Sequence, residues 1–255
     1  MKRPSRNPSL DAARPVALVT GAAKRIGAEI ARRLHADGYD LALHYRSSQT
    51  EMDALVAELH AQRPDSVLTL QADLAEFDRL PELVARTIGR FGRLDALVNN
   101  ASTYYATPIG EVTPAQWDEL FASNARAPFF LAQAAAPHLA RSGGAIVNIV
   151  DIYAERPLRG HPVYCMAKAA LAMATKSLAL ELGPEVRVNG VAPGNVLWSE
   201  NPVKAETLDT VRERTALGRQ GAPGDIAEAV HWLLRGNTYV TGQILAVDGG
   251  RTLSI

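Results

Sequence analysis

Tyr164 and Lys168 are the two residues whose types and spacing most directly suggest chemistry. Four positions apart in a helical run, they project from one face. An ammonium beside a phenol stabilises phenolate and draws the tyrosine pKa below its ordinary value of ~10. The phenol then becomes a workable proton donor near neutral pH. Taken alone, the pair equals the surface Tyr–Lys pairs that any helix carries. Its meaning depends on what the rest of the chain brings to it.

A second constellation lies near the start of the chain. Thr20-Gly21-Ala22-Ala23-Lys24-Arg25-Ile26-Gly27 joins an apolar, β-branched run to a helical pattern. Small residues there let the backbone approach a pyrophosphate, and the first N–H groups of the helix bind the anion. The next strand ends in His44-Tyr45-Arg46-Ser47-Ser48. An Asp or Glu at that place would bind the ribose 2′-hydroxyl of NADH. Arg46 instead offers a planar fork of donors to a 2′-phosphate, with Ser47 adding a hydroxyl. Lys24 and Arg25 add positive charge at the same edge, so the pattern favours NADPH. A solvated loop arginine is the plain alternative.

These groups need a frame that brings them together. Strand patterns at 16–20, 39–45, 66–71, 94–98, 145–150, 186–191 and 244–247 alternate with helical patterns at 26–34, 51–59, 80–91, 115–140, 164–182 and 225–234. Pro128 and Pro137 predict a bend or break in the fourth helix. The alternation predicts an α/β fold: a single Rossmann-type domain over 15–255, a doubly wound parallel sheet with helices on both faces. Residues 195–217 are too long for an ordinary connection and read as a substrate-covering segment with some helix of its own. Residues 1–14 read as a flexible basic tail without the apolar run of a secretory signal.

Composition narrows the classes. Formal net charge is zero, with 27 basic and 27 acidic residues, which gives no field for nucleic acid or an anionic membrane. No apolar run is expected to reach the ~20 residues that span a bilayer. A single cysteine, Cys165, forbids an intrachain disulfide and suits a reducing, cytoplasmic setting. Six histidines and that one cysteine show no metal-ligand spacing.

Over about Val16 to Gly250 the chain resembles the short-chain dehydrogenase/reductase superfamily. The resemblance rests on Thr20-Gly21…Gly27, Asp73-Leu74, Asn99-Asn100-Ala101, Asn124, Tyr164-x-x-x-Lys168 and Pro193-Gly194, in that order and spacing. It implies that Asp73, with Leu74, lies at the adenine end, and that Asn99 and Ala101 line the adenosine and ribose side. It implies that Asn124 holds a helix distortion and a water linked to Lys168. Lys168 would bind the nicotinamide ribose, and Pro193 and Gly194 would pass the nicotinamide. A tetramer is the usual assembly.

Two positions depart from that pattern. Arg25 stands where glycine is usual, and Asp151 stands where a serine is usual, thirteen residues before the tyrosine. With TGAAKRIG, LHYRSS, NNAS and YCMAK, these departures resemble the pteridine reductases, which reduce pterins and in some cases folates with NADPH. Dihydromonapterin reductases are similar in the cofactor loop. An ionised Asp151 cannot donate to a carbonyl oxygen and would raise the pKa of Tyr164. It suits a substrate carrying N–H donors, or a C=N bond whose nitrogen takes a proton. The resemblance places Tyr104 as a stacking partner for a flat ring, with a core or interface tyrosine as the alternative. Ser102 and Arg25 are candidate polar contacts, and Leu197 and Trp198 candidate covers. The competing functions are a carbonyl reductase of the same fold and a catalytically silent NADPH-binding sensor.

Overall fold

The computed structural model describes residues 14–196 and 208–253. Seven strands form one parallel sheet: β1 (Val16–Val19), β2 (Asp40–Tyr45), β3 (Val67–Gln71), β4 (Ala96–Asn99), β5 (Ala145–Ile149), β6 (Arg187–Pro193) and β7 (Ile244–Val247). Their order is β3-β2-β1-β4-β5-β6-β7. The direction of winding reverses between β1 and β4, which opens a crevice at the carboxyl ends of these two strands.

Both faces of the sheet are covered, which is why its strands read as continuous apolar runs. Ala17 and Val19 of β1 pack with helices α1 (Arg25–Ala36), α2 (Gln49–Gln62) and α8 (Pro223–His231). Val16 and Leu18 point the other way, against α3 (Arg79–Phe91), α5 (Ala127–Ser142) and α6 (Pro162–Leu182). Two short helices complete the set: α4 (Pro114–Phe121) and α7 (Leu208–Glu213). The latter supplies helix within 195–217, as expected.

The break expected in the fourth helix lies ahead of the prolines. A π-helical turn, Ala122–Arg126, separates α4 from α5. Pro128 has no N–H to give the Asn124 carbonyl, which loosens the ladder at that point. Pro137 sits inside α5 without ending it. A second π turn, Trp232–Gly236, follows α8, so the last helix closes at His231 and not at Leu234.

Helix α6 corrects one expectation. Its 21 residues, with a mean hydropathy of 1.2, are long and apolar enough to cross a membrane by length and composition. Half of that stretch is buried in the fold. Val163, Ala167, Leu171 and Leu178 form an inward stripe that also carries Tyr164 and Lys168. Its apolarity is that of a core helix.

Candidate active site

A parallel sheet delivers the carboxyl ends of all its strands to one edge. Gly21 follows β1, Arg46 follows β2, Asp73 follows β3, Ala101 follows β4, Asp151 follows β5, and Pro193-Gly194 closes β6. Helix α6 brings Tyr164 and Lys168 beneath the same edge.

Asp151, Tyr164 and Lys168 form one group. The Tyr164 hydroxyl donates to Asp151 Oδ2 at 2.7 Å. Asp151 Oδ1 accepts from the Tyr153 backbone N–H at 2.9 Å, which caps a short 3₁₀ turn and fixes the carboxylate. Lys168 is 2% exposed, and its Nζ donates to the Ile149 carbonyl at 2.9 Å. That ammonium lies 5.8 Å from the centre of the Tyr164 ring. Burial lowers the Lys168 pKa to about 8, against the pull of Asp151. Burial raises the Asp151 pKa from its ordinary value, against its hydrogen bonds from Tyr153 and Tyr164 and the charge of Lys168.

The expected lowering of the Tyr164 pKa is not found. It is raised well above the ordinary value, first by burial, then by the charge and hydrogen bond of Asp151. The part of the expectation that concerned Asp151 is therefore met, and Lys168 does not outweigh it. The raised phenol pKa favours a protonated phenol donating to the carboxylate, as the 2.7 Å hydrogen bond has it.

Asn124 sits inside the π turn and is fully buried. Its Nδ2 donates to the Thr103 carbonyl at 2.8 Å and the Leu120 carbonyl at 2.9 Å. Its Oδ1 accepts from Ser102 Oγ at 2.7 Å. The amide thus ties the widened helix to the segment after β4, consistent with π turns occurring where a helix must present a functional group.

The glycine loop is built for close packing. Gly21 has φ +60°, and a Cβ there would lie 2.8 Å from Ala101 Cα. A Cβ on Gly27 would lie 2.2 Å from the Gly21 carbonyl oxygen. Arg25 keeps a left-handed φ of 53°, the conformation that glycine adopts freely, at a cost on the order of 1 kcal/mol. Lys24 precedes α1 and is paired with Glu51 at 2.7 Å, so its charge is partly neutralised. Ile26 is half-buried.

Around the loop, several expected contacts are committed elsewhere. Arg46 and Ser47 are exposed, whereas Tyr45 is buried with its hydroxyl on Gln49. Asp73 Oδ1 accepts from Ala75 N at 2.9 Å, and Leu74 packs into the core. Asn99 turns inward: its Nδ2 donates to Asn148 Oδ1 at 2.8 Å and pins β4 to β5. A Cβ on Gly194 would lie 2.7 Å from Asp248 Cα, so β6 and the turn after β7 meet without side-chain bulk. Leu197 and Trp198 lie outside the described residues.

Four supporting residues were given no role by sequence reasoning. Asn100 Nδ2 donates to the carbonyls of Thr20 and Gly21, each at 2.9 Å. His44 Nδ1 accepts from Gly21 N at 3.2 Å while its Nε2 donates to the Ala72 carbonyl at 3.1 Å. Burial lowers its pKa to about 4, which keeps it neutral for this task. Asn148 Nδ2 donates to Thr175 Oγ1 at 2.9 Å, linking β5 to α6. The signal was available: His44, Asn148 and Thr175 are polar residues inside otherwise apolar runs.

A glycine loop at a helix N-terminus, a switch point between β1 and β4, and a Tyr–Lys pair at the same edge define a dinucleotide-binding oxidoreductase. A family model described as enoyl-(acyl carrier protein) reductase matches residues 21–252. The chain is 39% identical to pteridine reductase 1 of Leishmania tarentolae, over 94% of this chain and 97% of the relative. It is 40% identical to a protein named as a ketoacyl reductase of the granaticin polyketide synthase of Streptomyces violaceoruber, over 94% and 96%. It is 33% identical to 3-oxoacyl-(acyl-carrier-protein) reductase FabG of Staphylococcus epidermidis, over 92% and 97%. The chain belongs to the short-chain dehydrogenase/reductase family and is an NAD(P)-dependent reductase of small molecules.

Proposed function

We propose that this protein reduces pterins of the dihydrobiopterin kind, and folates, at a ring C=N bond with NADPH. The observation that carries the reading is the 2.7 Å hydrogen bond from the Tyr164 hydroxyl to Asp151. A reductase working on a ketone gains nothing from a carboxylate beside the developing oxyanion. A ring nitrogen that must take a proton, next to N–H groups that need an acceptor, gains both functions from it.

The residues fit a nicotinamide dinucleotide. The loop packs without side chains at Gly21 and Gly27 and leads into the N-terminus of α1, whose first N–H groups suit a pyrophosphate. Exposed Arg46 and Ser47, with no acid beside them on β2, favour a 2′-phosphate. Such a cofactor, when bound, supplies the hydride. Tyr164 delivers the proton and regains one from solvent through Asp151, which also accepts from pterin N–H groups, and Lys168 balances the charge. Tyr104, 48% exposed, offers a surface for the flat ring. Ser102 and Arg25 are polar contacts in this reading; the cover expected of 195–217 falls, at Leu197 and Trp198, outside the described residues. The protein acts as a cytoplasmic homo-oligomer, a tetramer by family resemblance; the tail expected at 1–14 lies, but for Arg14, outside the described residues.

The test is NADPH oxidation with dihydrobiopterin beside a panel of ketones and a 3-oxoacyl thioester. Turnover of the pterin with weak ketone activity supports the reading. Ketone turnover without pterin turnover replaces it with the carbonyl reductase that two of the relatives' names suggest.

A further inference from the structure

His161 stacks face to face on Tyr104, with ring centres 4.8 Å apart and planes 9° from parallel. The edge of Tyr104 meets Tyr164 at 4.9 Å and 82°. A line of contacts therefore runs His161–Tyr104–Tyr164–Asp151, from the start of α6 to the reacting groups. The imidazole is itself anchored. Its Nδ1–H donates to the Arg159 carbonyl at 3.1 Å. Its backbone N–H donates to Leu158 at 3.1 Å, and its carbonyl accepts from Cys165 N at 3.0 Å. The segment bearing Tyr104 is tied to the same turn, because Thr107 N donates to the Gly160 carbonyl at 2.7 Å.

A half-exposed aromatic ring on an irregular segment has rotamer freedom that substrate binding must remove. A flat neighbour held by backbone hydrogen bonds removes it in advance. We propose that His161 is a positioning residue for substrate: its ring holds Tyr104 as a preset wall beside Tyr164, so that a flat heteroaromatic substrate binds without ordering that wall. The proposal rests on the pterin reading and adds a specificity residue to it. It assigns the task to the flatness of the His161 side chain and not to acid–base chemistry.

Two substitutions separate the ring from the hydrogen bond. His161→Asn keeps an N–H donor for the Arg159 carbonyl and removes the ring. His161→Phe keeps a flat ring and removes the donor. Stacking predicts that H161N raises the KM for dihydrobiopterin about two- to tenfold, with kcat within twofold, while H161F stays near the parent. A merely structural cap predicts the reverse order. If H161N leaves KM unchanged, or H161F is as impaired as H161N, the positioning role is overturned while parent turnover keeps the pterin reading standing. If the parent itself fails to reduce the pterin, the underlying reading falls and this inference with it.

Discussion

Replacing Asp151 by serine restores the hydroxyl that is usual in the family and isolates what the carboxylate does. The fold should tolerate it. Asp151 caps the following 3₁₀ turn by accepting from Tyr153 N at 2.9 Å, and a serine hydroxyl can accept the same bond. The chemistry should change in three ways. First, the acceptor for pterin N–H groups is lost. A hydrogen bond to a charged partner contributes about 1.5–3 kcal/mol, which is roughly 10- to 150-fold in kcat/KM. Second, the proton reserve behind Tyr164 is lost, which places the fall toward the upper part of that range.

Third, the Tyr164 pKa drops. Burial remains the first cause of its elevation, but the charge and hydrogen bond of Asp151 are the next two, and both vanish. In the parent the phenol keeps its proton to high pH; in D151S it gives it up at lower pH. The basic limb of the kcat profile should therefore move to lower pH. Ketone turnover should rise, because a donor replaces a like charge beside the developing oxyanion. The assay is steady-state NADPH oxidation with dihydrobiopterin and with a ketone, from pH 5 to as far above pH 9 as the parent stays folded, with circular dichroism as the folding control. A folded D151S that reduces the pterin within twofold of the parent would refute the role assigned to the carboxylate.

Other perturbations follow from the cofactor edge. Arg46→Ala should raise the KM for NADPH about tenfold while leaving NADH nearly unchanged; an unaltered ratio would remove Arg46 from cofactor choice. Gly27→Ala places a Cβ 2.2 Å from the Gly21 carbonyl and should lower the Tm and abolish NADPH binding by calorimetry, with about 1–3 kcal/mol lost to overpacking; parental stability with parental affinity would contradict that geometry. His44 has a folded pKa of about 4 against an ordinary 6.5, so the unfolded chain binds more protons between those values and stability falls as pH drops through that window. Urea midpoints should show on the order of 2 kcal/mol of this loss between pH 7.5 and 5, and His44→Gln should remove that part of the slope.

The frame was legible because both faces of the sheet are buried. A run such as Val16–Val19 has no polar alternation to explain unless helices cover both sides, and two core clusters divide its residues in alternation. The reacting groups were legible because their spacing is local: Tyr164 and Lys168 share a helix face, and Asp151 ends the preceding strand. The sign of the Tyr164 shift was not, since it depends first on how deeply the hydroxyl is buried and then on the Asp151 carboxylate beside it. The same holds for Asn99, whose partner Asn148 is fixed only by the register of β4 on β5. The π turn left a trace in Pro128, but a proline alone does not say whether a helix kinks, breaks or widens.

Substrate choice depends on still less of the chain. Relatives at 39% and 40% identity carry the names of a pteridine reductase and of a ketoacyl reductase, so overall similarity does not separate the two chemistries. In the proposed function the choice is local: it lies with the group facing Tyr164 after β5, and with the aromatic wall beside it. A carboxylate in contact with the proton donor makes one outcome costly and the other favourable, because an oxyanion and an Asp cannot share a site that a protonated ring nitrogen and an Asp can. Tyr104 and His161 then decide whether a flat ring is received at that site or merely tolerated. The two features are linked only through Tyr164, which the carboxylate contacts by a hydrogen bond and the stack by a ring edge. A pterin reductase needs both, so a variant that loses the carboxylate and one that loses the stack should fail in different kinetic constants.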